Sequence, residues 1–282
     1  MVAVIIYIFG TEYQYYLPIY IYSMSKLYDY DFIIFSDIPI DNNLIEAINK
    51  INGINVIYKL IPSNIVAKKN SQFLKSLRWL YYDKLIDNYE YAYIGDVDII
   101  ISEENYPLHI QHINHMELLE RPYSNVIRNK QLRMSGLHFI KVNEYLRKTE
   151  SARISLMNYL KYNPLSVENN ENILYKILES SKILPPETKE LVASKFPWEK
   201  ISFRPHHGIH LGVWRDKVKN IRKLIRLKTN YSHENHIDDY YYYKKNLQND
   251  ILFKEMVKSS GKKILKQIEA MQKDFERYLK SL

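Results

Sequence analysis

Short apolar runs alternate with stretches of helical spacing along the first part of the chain. Val4 to Phe9 reads as a buried strand, followed by Gly10-Thr11 and a helix from about Tyr13 to Leu27. A second strand, Phe32 to Phe35, ends in Ser36-Asp37, and a helix near Leu44 to Lys50 leads to a third strand, Asn55 to Leu60. Gln72 to Ile86 carries Phe73, Leu77, Leu80, Tyr81 and Leu85, the recurrence of one helix face. Tyr91 to Ile94 is a strand that runs into Gly95-Asp96-Val97-Asp98 and resumes as Ile99 to Ile101. Strands alternating with helices predict an α/β layered domain with a mainly parallel sheet. Ligands of such sheets bind beyond the carboxyl ends of the strands, where Gly10-Thr11, Ser36-Asp37 and Asp96 to Asp98 all fall.

The later pattern is sparser. His138 to Val142 reads as a short strand after Ser135-Gly136, and Asn172 to Ser180 as a helix, with prolines at 185, 186 and 197 marking loops. Gly261 to Leu282 is amphipathic: Ile264, Leu265, Ile268, Met271, Phe275, Tyr278, Leu279 and Leu282 form one stripe, with lysines and Arg277 around it.

Charge divides the chain in two. Of the net +8, none falls on residues 1–214, which hold 23 basic and 23 acidic residues; residues 215–282 hold 17 and 9. This predicts a near-neutral body, 1–214, with a basic helical extension, 215–282. The absence of cysteine excludes disulfide scaffolds, thiolate zinc sites and cysteine nucleophiles. No apolar run approaches the roughly 20 residues of a membrane span. The first apolar stretch is short, with no basic region before it, and reads as a strand rather than a signal peptide, which predicts a cytoplasmic protein. The 26 tyrosines accompany many Ile, Lys and Asn and reflect composition rather than a special surface.

Asp96-Val97-Asp98 carries the chemistry. Two carboxylates so close in an apolar stretch repel each other and are costly to bury, and a divalent cation relieves both problems. Oxygen ligands suit Mn²⁺ or Mg²⁺. His207-Gly-Ile-His210 offers imidazoles that could complete the coordination, and Gly208 and Gly212 predict a loop there. Arg204 is a second candidate, since a planar guanidinium pairs with phosphate oxygens in a bidentate way.

The run from Lys75 through Arg78 to Asp87, leading to Tyr91-Ala-Tyr-Ile-Gly-Asp96-Val-Asp98, resembles the DxD region of GT-A glycosyltransferases, in the style of glycosyltransferase family 8. Ile8-Phe9-Gly10-Thr11-Glu12-Tyr13 resembles the first strand and helix, where the uridine of the donor sits. Ser135-Gly136 before His138-Phe-Ile-Lys resembles the element beside the donor sugar. The resemblance covers about residues 1–214. It implies a GT-A fold, a UDP-linked nucleotide-sugar donor, a Mn²⁺ or Mg²⁺ cofactor, and Phe9, Gly10, Thr11, Tyr13, Arg78, Asp96, Ser135, Gly136 and Arg204 around the donor. Asp96, Asp98, His207 and His210 are then the metal ligands.

The sequence also departs from family 8. Met134 stands where Asn usually precedes Ser-Gly, the usual Asp-Gln helix start is Asn170-Glu171-Asn172, and Arg204 to Gly212 replaces the late His-x-x-Gly-x-x-Lys-Pro-Trp element. Both stereochemical outcomes therefore stay open. An inverting transferase needs a carboxylate base, and Glu171 is the candidate; its alternative role is an acid at a helix N-terminus.

The expected activity is transfer of a sugar to a hydroxyl of a cell-surface glycan or lipid-linked acceptor. The basic extension would lie on an anionic membrane surface, or its stripe would pack on the body or on a second subunit. No nucleic-acid module accompanies the basic residues. Two rivals differ in kind. A sugar-phosphate nucleotidyltransferase needs a Gly-rich loop after the first strand, where this chain has only Gly10. A non-catalytic binding module would act through 215–282 alone.

Overall fold

The computed structural model describes residues 1–66, 70–104, 106–128, 132–163, 169–185, 207–214 and 233–280. The body opens with β1 (Val2–Ile8), α1 (Thr11–Gln14), α2 (Leu17–Ser25), β2 (Asp31–Ser36), α3 (Asn42–Ile48), β3 (Val56–Leu60) and α4 (Ser63–Val66). It continues through α5 (Ser71–Leu80), β4 (Tyr91–Ile94), β5 (Ile99–Ile101), α6 (Leu108–Leu119), β6 (Tyr123–Ser124), β7 (Ile127–Arg128), β8 (Arg133–Met134) and β9 (His138–Lys141). Then come α7 (Val142–Tyr162), α8 (Asn170–Ser180) and β10 (Gly208–His210). The chain closes with α9 (His233–Tyr242), a π-helical turn at Tyr243–Leu247, α10 (Ile251–Ser259) and α11 (Gly261–Leu279).

Six strands form one sheet in the order β3-β2-β1-β4-β9-β6. The first four are parallel, and β9 and β6 are added antiparallel. With helices on both faces, this is the α/β architecture the alternating pattern predicts. Strand residues alternate between two cores. Val4, Ile6, Phe32, Ile34 and Tyr93 face one. Ala3, Ile5, Ile33, Phe35, Ala92 and Ile94 face the other. Both faces are buried, so these strands read as continuous apolar runs rather than alternating ones.

The order also locates the site. From β1 the chain winds outward to β2 and β3, then crosses to the far side of β1 to make β4. At such a reversal the loops after the two central strands diverge and leave a crevice at their carboxyl ends. Gly10 follows β1 and Asp96 follows β4.

Three elements differ from the sequence pattern. The first helix is in two pieces, because Pro18 at the start of α2 lacks an N–H and suits a fresh helix start. The helix expected over Gln72 to Ile86 stops at Leu80, where Tyr81 turns extended at φ −103°, ψ 121°. A separate 3₁₀ turn, Lys84–Asn88, follows, and Asp83 accepts from its Leu85 N–H at 2.9 Å. Finally, part of the expected loop is a strand: β10, Gly208–His210, pairs antiparallel with β5.

The C-terminal helices pack on the face of the sheet covered by α2 and α3. Tyr240, Tyr243, Phe253, Met256, Ile264, Ile268, Met271 and Phe275 share one hydrophobic cluster with Leu17, Tyr20 and Ile48. Tyr16 Oη donates to Gln267 at 2.9 Å across this contact, and Tyr22 Oη to Asp250 at 2.7 Å. The stripe read in the sequence is therefore packed on the body at Ile264, Ile268, Met271 and Phe275, while Leu265 is exposed. Among the described residues no helix is long and apolar enough to cross a membrane.

Candidate active site

A cavity of about 540 Å³ opens at the carboxyl ends of β1 and β4. It is lined by Phe9, Gly10 and Tyr13 after β1, Asp37 after β2, Lys75 and Arg78 of α5, the Gly95 to Asp98 turn, Asn170 and Glu171, and His210. Each wall is set locally. Gly10 turns the chain out of β1 at φ 74°, a left-handed conformation that favours glycine, and its N–H donates to Asp37 Oδ1 at 2.9 Å. Asn169 caps α8 by accepting from Glu171 N–H at 2.8 Å, which points the first turn of that helix into the cavity.

The carboxylates converge rather than stand apart. Asp96, Asp98 and His210 each offer one ligand atom, and the three atoms lie within 4.8 Å of one another. His210 Nε2 is 3.5 Å from Asp98 Oδ1 and 3.9 Å from Asp96 Oδ2. The strand pairing produces this arrangement: His210 lies opposite Ile99, and Leu211 N–H donates to the Asp98 carbonyl at 2.7 Å. Two carboxylates and an imidazole are a fitting donor set for a divalent cation.

Arg78 ties the turn to α8. Its Nη1 donates to Asp96 Oδ1 at 2.8 Å and its Nη2 to Asn170 Oδ1 at 2.8 Å. Asn170 Oδ1 also accepts from Trp79 Nε1 at 3.3 Å. Burial alone would raise the Asp96 pKa. The Arg78 guanidinium, with His210 beside it, outweighs that and holds the carboxyl well below the usual carboxylate range. One Asp96 oxygen thus serves the arginine and the other faces His210.

Glu171, next to Asn170, also lines the cavity, with Oε2 3.5 Å from Arg133 Nη1. Gly136 sits where the walls close in. A Cβ there would lie 3.2 Å from Glu171 Oε1, 3.4 Å from Arg78 Nη2 and 3.7 Å from Asp96 Oδ2. A side chain at this position would crowd Glu171 and take up space between these three groups.

The expected site residues therefore part company. Phe9, Gly10, Tyr13, Arg78, Asp96, Asp98, Glu171 and His210 line the cavity, and Gly136 abuts its charged groups. Ser135 is buried behind the wall, where its N–H donates to Asn125 Oδ1 at 3.0 Å. Thr11 is exposed at the start of α1 and does not reach the cavity wall. Arg204 lies outside the described residues.

His207 is not brought to the carboxylates. Its Nδ1 lies 2.6 Å from Glu104 Oε1 and its Nε2 3.1 Å from His112 Nε2, wholly buried. His207, just before β10, and His210, at its end, face different partners and do not share a ligand site. Asp37, Asn170, Lys75 and Arg133 also belong to the site, beyond the residues expected from the sequence. Asp37 and Asn170 carried a signal, a strand end and a helix start; Arg133 carried none.

No family model matches the chain, and no curated protein matches it. Among solved structures, the galactosyltransferase LgtC in complex with donor and acceptor sugar analogues is similar at 12% identity, over 65% of this chain and 70% of that one, with a TM-score of 0.39. An active-site mutant of LgtC matches over the same shares at 12% identity and a TM-score of 0.36. At that level of likeness neither family nor activity follows, and the chemistry is read from the side chains themselves.

Proposed function

We propose that this protein is a metal-dependent glycosyltransferase of the GT-A type. It would take a nucleotide sugar, UDP-linked, and transfer the sugar to a hydroxyl of a cell-surface glycan or lipid-linked acceptor. The observation that carries this reading is the convergence of Asp96, Asp98 and His210 in a cavity at the strand-order reversal, with Arg78 and Glu171 in the same lining. A volume of about 540 Å³ suits a nucleotide sugar.

In this reading Phe9 and Tyr13 receive the nucleoside, and Asp37, beside Gly10, offers acceptors for its hydroxyls. Asp96, Asp98 and His210 hold Mn²⁺ or Mg²⁺, which when bound offsets the charge on the departing diphosphate. Arg78 fixes the Asp96 carboxylate and the Asn170 amide in one plane of contacts. In the inverting form Glu171 takes the proton of the acceptor hydroxyl as its oxygen attacks the anomeric carbon and the nucleoside diphosphate leaves from the opposite face. Arg133 holds Glu171 in orientation. A retaining transfer is the alternative within the same site.

The basic extension keeps a role in locating the acceptor. With its apolar stripe packed inward, α11 presents Lys262, Lys263, Lys266, Lys273 and Arg277 to solvent, so attraction to an anionic membrane surface would be electrostatic rather than insertional. The test is release of UDP from a panel of UDP-sugars with Mn²⁺, with and without glycan acceptors. The expected result is metal-dependent release that Glu171→Gln slows without weakening donor binding. No release from any UDP-sugar, alone or with acceptors, would overturn the reading.

A further inference from the structure

Behind the cavity lies a chain of buried polar groups that the reaction does not use. Glu104, His207, His112, Ser124 and His115 follow one another, with the Glu104 side chain 3% exposed and the other four residues fully buried. His207 Nδ1 is 2.6 Å from Glu104 Oε1, and His207 Nε2 is 3.1 Å from His112 Nε2. His112 Nδ1 is 2.8 Å, and His115 Nδ1 2.7 Å, from Ser124 Oγ. With every ring neutral, the donors run one way: His115 N–H to Ser124, Ser124 O–H to His112, His112 N–H to His207, and His207 N–H to Glu104. Gln111 Nε2 donates to the other Glu104 oxygen at 3.0 Å.

We propose that Glu104, His207 and His112 are a latch that sets the register of β10 and so places His210 beside Asp96 and Asp98. The metal-binding part of this rests on the function proposed above. The strand itself is only three residues long, and backbone ladder bonds do not discriminate between registers, so its side chains must. His207 and Ile209 are buried in the core, whereas His210 faces Asp96 and Asp98. A slip of one residue would take His210 away from Asp96 and Asp98; in one direction it would set Gly208, which has no side chain, against Glu104 and His112, and in the other it would set His207 at the crossing that Gly208 occupies.

Buried polar groups left unpaired are costly, so the hydrogen-bonded chain accepts one register. Gly208 adds a steric limit. At φ 147° a Cβ there would lie 2.0 Å from the Ile100 carbonyl oxygen, so only glycine fits at this crossing. Downstream, Ser102 N–H donates to the His207 carbonyl at 3.2 Å and Leu211 N–H to the Asp98 carbonyl at 2.7 Å. Those two bonds bracket β10 and transmit its register to the carboxylate turn. Glu104, His207 and His112 are positioning residues, since none touches the cavity.

The test compares His207→Leu, His207→Gln and Met271→Ala with the wild-type full chain. It reads hydrogen exchange at the Leu211 amide and Mn²⁺ affinity by paramagnetic resonance, well below the melting temperature. His207→Leu should lower protection at Leu211 at least about tenfold. It should also weaken Mn²⁺ about 10–100-fold, the usual cost of losing a group that orients a ligand. His207→Gln, which keeps a donor and an acceptor, should recover most of both. Met271→Ala, which removes packing in the C-terminal helices, should change neither.

Wild-type protection at Leu211 in folded His207→Leu would overturn the latch. Should the wild type take up no Mn²⁺, the metal reading fails by itself and the exchange result still decides the latch. Should His207→Leu not fold, Glu104→Gln carries both readouts with the same expected losses.

Discussion

Two regions of the chain set charge against apolar surroundings, and they do opposite things with it. At the carboxyl edge of the sheet, Asp96, Asp98, His210 and Arg78 converge within a few ångströms. On α11, Lys262, Lys263, Lys266 and Lys273 diverge into solvent while the opposite side of the helix is buried on the body. The extension to which that helix belongs, residues 215–282, carries the net charge of the whole protein, yet none of its described residues lines the cavity. Convergence, not quantity, is what marks a site: like charges are brought together only where something offsets their repulsion.

The contrast is sharpest in stability. Phe275 is 3% exposed and stacks on Tyr240 with ring centroids 4.5 Å apart. Phe275→Ala should cost about 3–5 kcal/mol in denaturant unfolding. UDP affinity of the remaining folded protein should stay unchanged, and a parallel loss of affinity would break the division between the two regions.

Acid should strike the other side first. Burial pushes His115 and His138 down to about 3, and His112 well below its ordinary value. The folded state then binds fewer protons than the unfolded one below pH 6.5. Their contribution is fully present above that pH and is lost as pH falls from 6.5 toward 3, by about 1.4 kcal/mol per histidine per pH unit. Protection factors at α6 and β9, corrected for the pH dependence of intrinsic exchange, should therefore be lower at pH 5 than at pH 7. Equal acid sensitivity in α10 and α11 would contradict this.

Arg78→Lys keeps the charge but cannot reach Asp96 and Asn170 together, as the guanidinium fork does. A loss of about 1–2 kcal/mol in UDP affinity is expected by calorimetry, through the misplaced Asp96 carboxylate. Smallest of all, Lys262→Gln with Lys266→Gln should shift stability by no more than about 0.5 kcal/mol. The pair should weaken association only with anionic vesicles. A loss of donor binding in that variant would show that the tail lysines converge on the site after all.

Much of this was legible in the sequence where chemistry and hydropathy coincide. The central parallel strands β1, β2 and β4 are buried on both faces and stand out as apolar runs, and the Asp96 to Asp98 turn interrupts one of those runs. What escaped was polar burial. Helix α6 buries Gln111, His112 and His115, so its inner face does not look apolar. Helix α7 buries Thr149 and Arg153 among its apolar positions, where Arg153 Nε donates to Thr149 Oγ1 at 3.1 Å and its guanidinium lies 4.8 Å from the Tyr82 ring centroid.

At β10 the glycines suggested a loop, whereas Gly208 is required because two strands cross too closely for a side chain. Thr11 and Ser135 came with a motif resemblance, and the local fold turns one outward and buries the other.

The central claim is that the convergent carboxylates and His210 make a metal-dependent nucleotide site. Calorimetric titration of UDP into the full chain, with Mn²⁺ and then with EDTA, repeated on Asp98→Ala, tests it most directly. The account predicts binding that requires Mn²⁺ and disappears in the folded variant. UDP binding that survives both EDTA and Asp98→Ala, or no UDP binding by the wild type with Mn²⁺, would contradict it.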